Sequence, residues 1–403
     1  MLLGGTRFLL PVIKEAHKLG IYVITADYLP DNTAHKYSDD YINLSIINKE
    51  AVLEAARTAN ISGIMSFGVD PGVVTAAYVA EQMGLPFQCS YESACILQDK
   101  ASFRRFLADN GFNCPAAKNY SSTEEALLDV DNISWPVIVK PVDSAGSKGV
   151  TVVHDKEHIQ EAVKEAFDNS LSKRIIVEDF LDTVGFQSST DIFTIGGVVD
   201  APIFSDQMFD HNATNPLVPT LEIWPTSMPT QYQSDLTHQL NRLFHLLQCQ
   251  NGIYNVECRI CSNGKTYLME VSPRGGGNHI ALLQDMAMGT NYIENEVRNA
   301  VGLPLDLRPP TAIEGVWGTY SIHPYEGLSG WLRSINFNEK LKKNIKMLDL
   351  AFPFGTAIKP FTGANMSLGD VLLHFDSREQ LIDITSNPAG WVDIVVDQHP
   401  HHD

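Results

Sequence analysis

The chain predicts a mixed α/β and α+β protein: an N-terminal doubly wound parallel α/β domain, two α+β lobes after it, and a small C-terminal mixed module. Three observations lead there. Up to residue 95, short apolar runs alternate with amphipathic helices, the pattern of a parallel sheet covered on both faces. Beyond that point strands return on themselves through small-residue turns, which marks antiparallel pairing. A length of 403 residues exceeds one ordinary core, so two to four domains are expected.

Taken in order, 8–19 reads as a helix, 21–25 as a strand, 49–59 as a helix, 63–67 as a strand and 73–83 as a helix. Gly4 and Gly5 open the first helix and Asp27 ends the next strand, faintly like a dinucleotide-binding turn. The third glycine of that pattern is missing, which favours a generic strand–helix turn over a nicotinamide site. The strand before Gly4 is almost absent, as if a few residues preceded it. A charged amphipathic helix follows Gln98 and ends at Gly111. Next come an apolar strand at 135–141 closing on Lys140, a small-residue loop, DSAGSKG at 143–149, and a returning strand at 150–154. Backbone N–H groups in such a loop suit phosphates, although loops of this composition are also plain flexible turns. A helix at 157–168, a strand at 174–178, antiparallel strands over 186–226 and a helix at 230–247 come next. Helical sequence at 278–299 and a linker at 302–310 lead to a last module with strands near 316–322, 357–361, 371–375 and 391–396. The expected division is 1–95, 96–183, 184–310 and 311–403.

Hydrophobic content of 44% with 19% charged residues is that of a soluble globular protein. A net charge of −19 argues against nucleic-acid and anionic-membrane partners, while leaving room for a small anion held by a few local lysines. No apolar run reaches membrane-span length, and the first residues lack a signal-peptide core, so a cytoplasmic location is expected. Six scattered cysteines are too few for a disulfide framework. Cys258 and Cys261 lie an odd number of positions apart on a predicted strand and face opposite ways, so they read as buried thiols, not as a zinc site.

The densest chemistry lies between 253 and 277. Asn263-Gly264 separates two β-prone runs, the signature of a two-residue hairpin turn. That turn pairs Ser262 with Lys265, Glu257 with Glu270, Asn255 with Ser272 and Ile253 with Arg274. Period two puts Asn255, Glu257, Glu270 and Ser272 on one face, and Tyr254, Val256, Cys258, Met269 and Val271 on the other, core-facing one. Two opposed carboxylates repel unless a hard cation such as magnesium is held between them. From the hairpin alone, two acids on a solvated face remain an equal reading. The Ser-Pro-Arg-Gly-Gly-Gly sequence that follows favours a site.

The order of motifs resembles the ATP-grasp superfamily, and within it the carboxylate–amine ligase branch that includes L-amino-acid ligases. The motifs are D-K-x₃-R from Asp99, V-I-V-K-P at 137–141, the Ser/Gly loop, I-V-E-D-F-L at 176–181, N-V-E-C at 255–258 and L-M-E-V-S-P-R-G-G-G at 268–277. The resemblance covers nearly the whole chain and implies an ATP-grasp architecture, with ATP and Mg2+ as cofactors. It implies that Lys100 and Lys140 contact ATP phosphates, with Lys140 also near adenine, and that the loop bearing Ser144, Ser147 and Gly149 folds over them. Glu178, Asp179, Phe180 and Leu181 match the adenine-binding hinge, with Met269 packing on the base. Glu257 and Glu270 match magnesium carboxylates, and Arg274 matches the arginine that steadies the transferred phosphoryl group. Two positions depart from the pattern: Ser272 stands where a metal-binding Asn is usual, and Gln187 where a ribose-binding Glu is usual. The implied reaction joins a small carboxylate, an amino acid by this resemblance, to an amine through an acyl phosphate. The runner-up within the superfamily is the purine-biosynthesis and carboxylase group; outside catalysis, a nucleotide-binding regulator. His211, Asn212, Glu222, Asn278 and His279 are polar candidates for substrate selection. A homodimer is left open.

Overall fold

The computed structural model describes residues 1–399. Its first unit is a parallel sheet in the spatial order Asp40–Asn43, Ile24–Asp27, Leu2–Leu3, Met65–Ser66. Helices Leu10–Lys18 and Lys49–Thr58 connect these strands, and helix Val73–Met83 follows the last of them. Asn48 caps the second, accepting from Ala51 N at 3.2 Å, and Gly84 ends the third at φ +66. Loops at the carboxyl ends of the strands, carrying Thr6, Leu29 and Asp70, face the central cleft, where open parallel sheets place ligands. Gly5 answers to packing: a Cβ there would come within 2.5 Å of His35.

The second unit is an antiparallel sheet in the order Ala117–Tyr120, Ile175–Asp179, Val137–Pro141, Thr151–Val153. Its buried face of Val137, Val139, Val153 and Val177 packs on Val163 and Ala166 of helix Ile159–Asp168. A helix not anticipated, Tyr91–Gln98, precedes the charged helix, which begins at Lys100. Asp99 separates the two because its carboxylate caps the second, accepting from Ser102 N at 2.7 Å, and it also pairs with Arg174 at 2.8 Å.

The third sheet runs Val198–Val199, Ser188–Ile195, Gly252–Ile260, Thr266–Ser272 and contains the acid hairpin. Its register corrects the sequence reading in an instructive way. The connection has three residues instead of two: Cys261 N donates to Lys265 O at 2.9 Å, and Gly264 sits at φ +73. Asn263 does not adopt the positive φ that the two-residue turn demands of both its central residues. Pairs near the tip are therefore one residue off, with Ile260 opposite Thr266 and Cys258 opposite Leu268. A bulge at Met269 then restores the register, and Glu257 lies opposite Glu270 and Asn255 opposite Ser272. The bulge also turns Met269 out of the core and into the cleft, while Leu268 takes the core place. The strand stops at Ser272, so Ile253 does not meet Arg274; Ile253 N donates to Glu296 at 2.8 Å instead.

The fourth sheet crosses the expected boundary at residue 310. Its order is Asp206–Phe209, Pro219–Trp224, Val316–Ile322, Gly369–Phe375, Ile345–Leu350, so the 206–224 strands join the C-terminal module. The strand expected at 357–361 does not form beyond one bridge from Ala357 to Trp331. Pro360 has no N–H to give a ladder, and the segment turns back at Thr362. Trp331–Phe337, Ile345–Leu350 and helix Arg378–Ser386 are additions to the sequence reading. Among the described residues no helix is long and apolar enough to cross a membrane.

Candidate functional site

A cleft of about 1360 Å³ opens where all these units meet. That exceeds the ~300–1,000 Å³ of a single-ligand pocket and has room for a nucleotide with a smaller partner.

At one end Glu178 is the hub. Arg104 Nε lies 2.8 Å from it, and Lys140 Nζ meets its other oxygen. Burial alone would push this carboxyl up, but Arg104 and Lys140 outweigh it and hold Glu178 at about 2. Burial, with Arg104 repelling, brings Lys140 down to about 8. Arg104 also donates to Met269 O at 2.8 Å, tying the helix to the bulge. Ile138, Phe180, Phe186 and Met269 supply apolar wall nearby.

In the middle, Lys100 reaches between two elements. Its Nζ is 3.2 Å from Glu270 and donates to Ser144 O at 3.0 Å. Burial and the facing Glu270 raise Glu257, whereas Lys100 and Arg274 overcome burial and lower Glu270. Two residues beyond Glu257, Arg259 also lines the cleft and its Nε has no hydrogen-bond partner. Arg274 sends Nε and Nη2 to Asp70 Oδ1 at 2.8 and 2.6 Å and Nη1 to Gly275 O at 3.0 Å. Asp70 raises its affinity for the proton despite burial, so it is a fixed cation. The glycines behind it are set by close approach. A Cβ on Gly275 would come within 2.3 Å of Phe67, and one on Gly276 within 2.7 Å of Asn255. Asp191, buried, accepts from Gly276 N at 2.8 Å and from Asn255 Nδ2 at 3.0 Å.

At the other end Glu222 is 2% exposed, with Gln207 Nε2 at 3.4 Å and one oxygen unpartnered. Burial pushes it up to about 8, and Asp370 and Glu257 add to the push. Gln187 donates to Gln207, so an amide chain leads from the hinge to this acid. Arg7 bridges Asp349, at 2.8 Å, and Asp370, and His279 Nε2 lies 2.6 Å from Asp349. Asn278 and His279 adopt φ of 53 and 56, unusual for non-glycine residues, where the loop enters helix Ile280–Met288.

The cleft thus gathers Lys100, Lys140, Ser144, Ser147, Phe180, Gln187, Met269, Glu257, Glu270 and Arg274, together with His211, Asn212, Glu222 and Asn278. Gly149, Glu178, Asp179, Leu181 and His279 do not line it: Glu178 is buried behind the wall, paired with Arg104 and Lys140, Asp179 N donates to Ala116 O at 2.9 Å, and His279 turns to Asp349. Ser272 is fully buried and spoken for, accepting from Gln98 and donating to Asp70 at 3.2 Å. Its cross-strand neighbour Asn255 lines the cleft in its stead. The donor set facing the cleft is two opposed carboxylates, and among the described residues no three His, Cys, Asp or Glu side chains cluster as a metal cage. Such a half-built oxygen site fits magnesium, which keeps waters and takes phosphate oxygens as its remaining ligands. Arg7, Asp70, Arg104, Asp191 and Arg259 carried no assigned role. Arg104 had a signal, standing one helical turn after Lys100. Asp70 had none, because its partner Arg274 is 204 positions away.

Residues 113–293 match the family described as D-ala D-ala ligase C-terminus. The chain is 24% identical over 260 residues to the carbamoyl phosphate synthase large chain of Thermotoga petrophila, covering 63% of this chain but only 23% of that one. It is 25% identical over 308 residues to formate-dependent phosphoribosylglycinamide formyltransferase of a Synechococcus species, covering 76% and 77%. The crystal structure of an L-amino acid ligase from Bacillus licheniformis superposes with a TM-score of 0.80 at 22% identity, covering 98% of both chains. The fold of the chain is thus the ATP-grasp architecture of these structures, and residues 113–293 are the segment similar to the D-ala D-ala ligase family.

Proposed function

We propose that the protein is an ADP-forming carboxylate–amine ligase that uses ATP and magnesium to join two small molecules through an acyl phosphate. The observation that carries this reading is the opposed pair Glu257 and Glu270, with Lys100, Lys140 and Arg274 around it in one cleft. Phosphoryl transfer needs positioning and charge, not a side-chain nucleophile, and this cleft supplies both. Magnesium held by Glu257 and Glu270 would neutralise phosphate charge.

The chain's own residues do the rest. Lys140 and Lys100 hold phosphates, the 144–149 loop covers them, and Arg274, oriented by Asp70, holds the γ-phosphoryl group. The substrate carboxylate oxygen attacks the γ-phosphorus, the bond to the ADP oxygen breaks, and an acyl phosphate forms. Arg274 then stabilises the tetrahedral adduct as the amine adds, phosphate leaves with the bonding pair, and the amide nitrogen loses a proton. Glu222, buried without a cation, suits an incoming ammonium; ionised by that counter-charge, it takes the proton that frees the amine for attack, and the proton lost by the amide nitrogen leaves with the phosphate. Water must stay out, or the acyl phosphate hydrolyses.

Substrates of amino-acid type fit the lone buried acid Glu222, which would meet their ammonium group; Arg7, lining the cleft too, is already committed to Asp349 and Asp370. The 25% identity to the formyltransferase over most of both chains supports a second reading, a purine-biosynthetic ligase acting on formate and a phosphoribosyl amine. A phosphate-release screen with magnesium and ATP separates them. Release with amino-acid pairs supports the first, release only with formate plus a phosphoribosyl amine supports the second, and ATP binding without turnover would leave a nucleotide-binding regulator.

A further inference from the structure

The 144–149 loop is held from outside the lobe that carries it. Gly146 O accepts from Ala364 N at 3.1 Å, and Ser147 Oγ donates to Leu217 O at 2.9 Å. One amide joins all three segments: Asn215 Nδ2 donates to Ser147 O at 3.2 Å and to Thr362 O at 3.1 Å, while Oδ1 accepts from Leu217 N at 3.0 Å. Asn215 N further donates to Phe361 O at 3.1 Å. The surfaces also fit closely. A Cβ on Gly146 would meet Ala364 at 3.1 Å, and one on Gly363 would meet Lys148 at 2.8 Å.

The receiving surface is itself braced. Phe361 is fully buried, clusters with Ala213 and Val218, and stacks on His323 at 4.7 Å. Both imidazole nitrogens are committed, Nδ1 against Ser321 O at 2.9 Å and Nε2 against Asp210 at 3.1 Å. Asp210 in turn accepts from Asn212 N at 2.8 Å, so the 210–218 loop is fixed at its base. Asn215 does not line the cleft.

We infer that the C-terminal module is the receiver of the phosphate loop and that Asn215 is the positioning residue that keeps the loop down between the two half-reactions. The role rests on the ligase reading, since only a reactive acyl intermediate makes early opening wasteful. Asn215 acts through Ser147 O and the loop backbone, so its loss uncouples phosphate release from amide formation and leaves the chemistry of each step in place.

The test uses Asn215→Asp, which keeps an oxygen for Leu217 N but has no donor for Ser147 O or Thr362 O, with Asn215→Ala beside it. Hydrogen exchange on the full chain reads the contact directly. Both variants should exchange about tenfold faster across 144–149 and 361–367, the loss of two hydrogen bonds, with an unchanged unfolding midpoint. Exchange equal to wild type in those segments overturns the contact. In turnover, phosphate released per amide formed should rise severalfold with KM for ATP within about threefold of wild type. A ratio that stays at the wild-type value while exchange quickens overturns the coupling. If the unaltered protein turns over no carboxylate–amine pair, the ligase reading falls, and exchange alone still decides the contact.

Discussion

Glu178, behind the wall of the cleft, and Glu222, lining it, are equally buried acids, and their surroundings have driven them in opposite directions. Glu178 has two cations against it and stays ionised, at about 2; Glu222 has an amide and two distant acids for company and is held at about 8. The first kind of site is finished before any ligand arrives. Its charges are paired and its lysine is held in place, the preorganisation that the proposed nucleotide site would use. The second is unfinished: its missing counter-charge is the description of what should bind there. On the proposed reading, the Glu178 end would hold the nucleotide alike for any substrate pair, and discrimination would fall to the end where a partner is lacking.

Removing Glu178 should break this contrast most severely. Glu178→Ala strands Lys140 and Arg104 in the interior, and denaturant unfolding should show a loss of about 3–5 kcal/mol. Next in size is Arg274→Ala, which leaves Asp70 without its partner and the transferred group without its cation. Single-turnover phosphate release should slow by about 10²–10³, with folding retained.

Glu222→Gln sharpens the comparison from the other side. Because its carboxyl is raised when folded, the wild-type acid costs nothing below the unfolded value near 4.5 and becomes progressively destabilising as pH rises toward 8. The variant should therefore match wild type at pH 4.5 and exceed it by up to about 5 kcal/mol at pH 9, in parallel melts. Its KM for the amine should rise, while KM for ATP stays put. The smallest change is expected from Ser272→Ala. Its hydroxyl is already shared between Gln98 and Asp70, so the magnesium concentration giving half-maximal turnover should move less than about threefold. A larger shift would restore Ser272 as a metal ligand.

Much of this was legible beforehand, for physical reasons that can be named. The parallel first domain follows from alternating helix and strand periods, and the Glu257–Glu270 opposition from a turn signal plus period two. The opposition held although the turn did not, since the off-by-one loop and the bulge at Met269 cancel. What could not be read was long-range. Asp70 meets Arg274, Arg7 meets Asp349 and Asp370, and the 206–224 strands leave their neighbours for the C-terminal sheet. Local pattern has no purchase on such pairs, because each residue looks like ordinary surface until the partner is in place. Asp99 shows the intermediate case: the sequence placed one helix after Gln98, but only the structure shows the Asp99 cap separating it from a second helix before it.

The bulge at Met269 has a consequence for how this family of hairpins can vary. With a single extra residue stored partway along one strand, the tip and the acid pair are independent of each other in length. A residue gained or lost at 262–264 can be absorbed by shifting or erasing the bulge, and the two carboxylates stay face to face. The hairpin tip is then a place where insertions, labels or grafted loops are tolerated, much as a slack turn of cable lets a plug be lengthened without moving its socket. Only Met269, which owes its place in the cleft to that slack, would register the change.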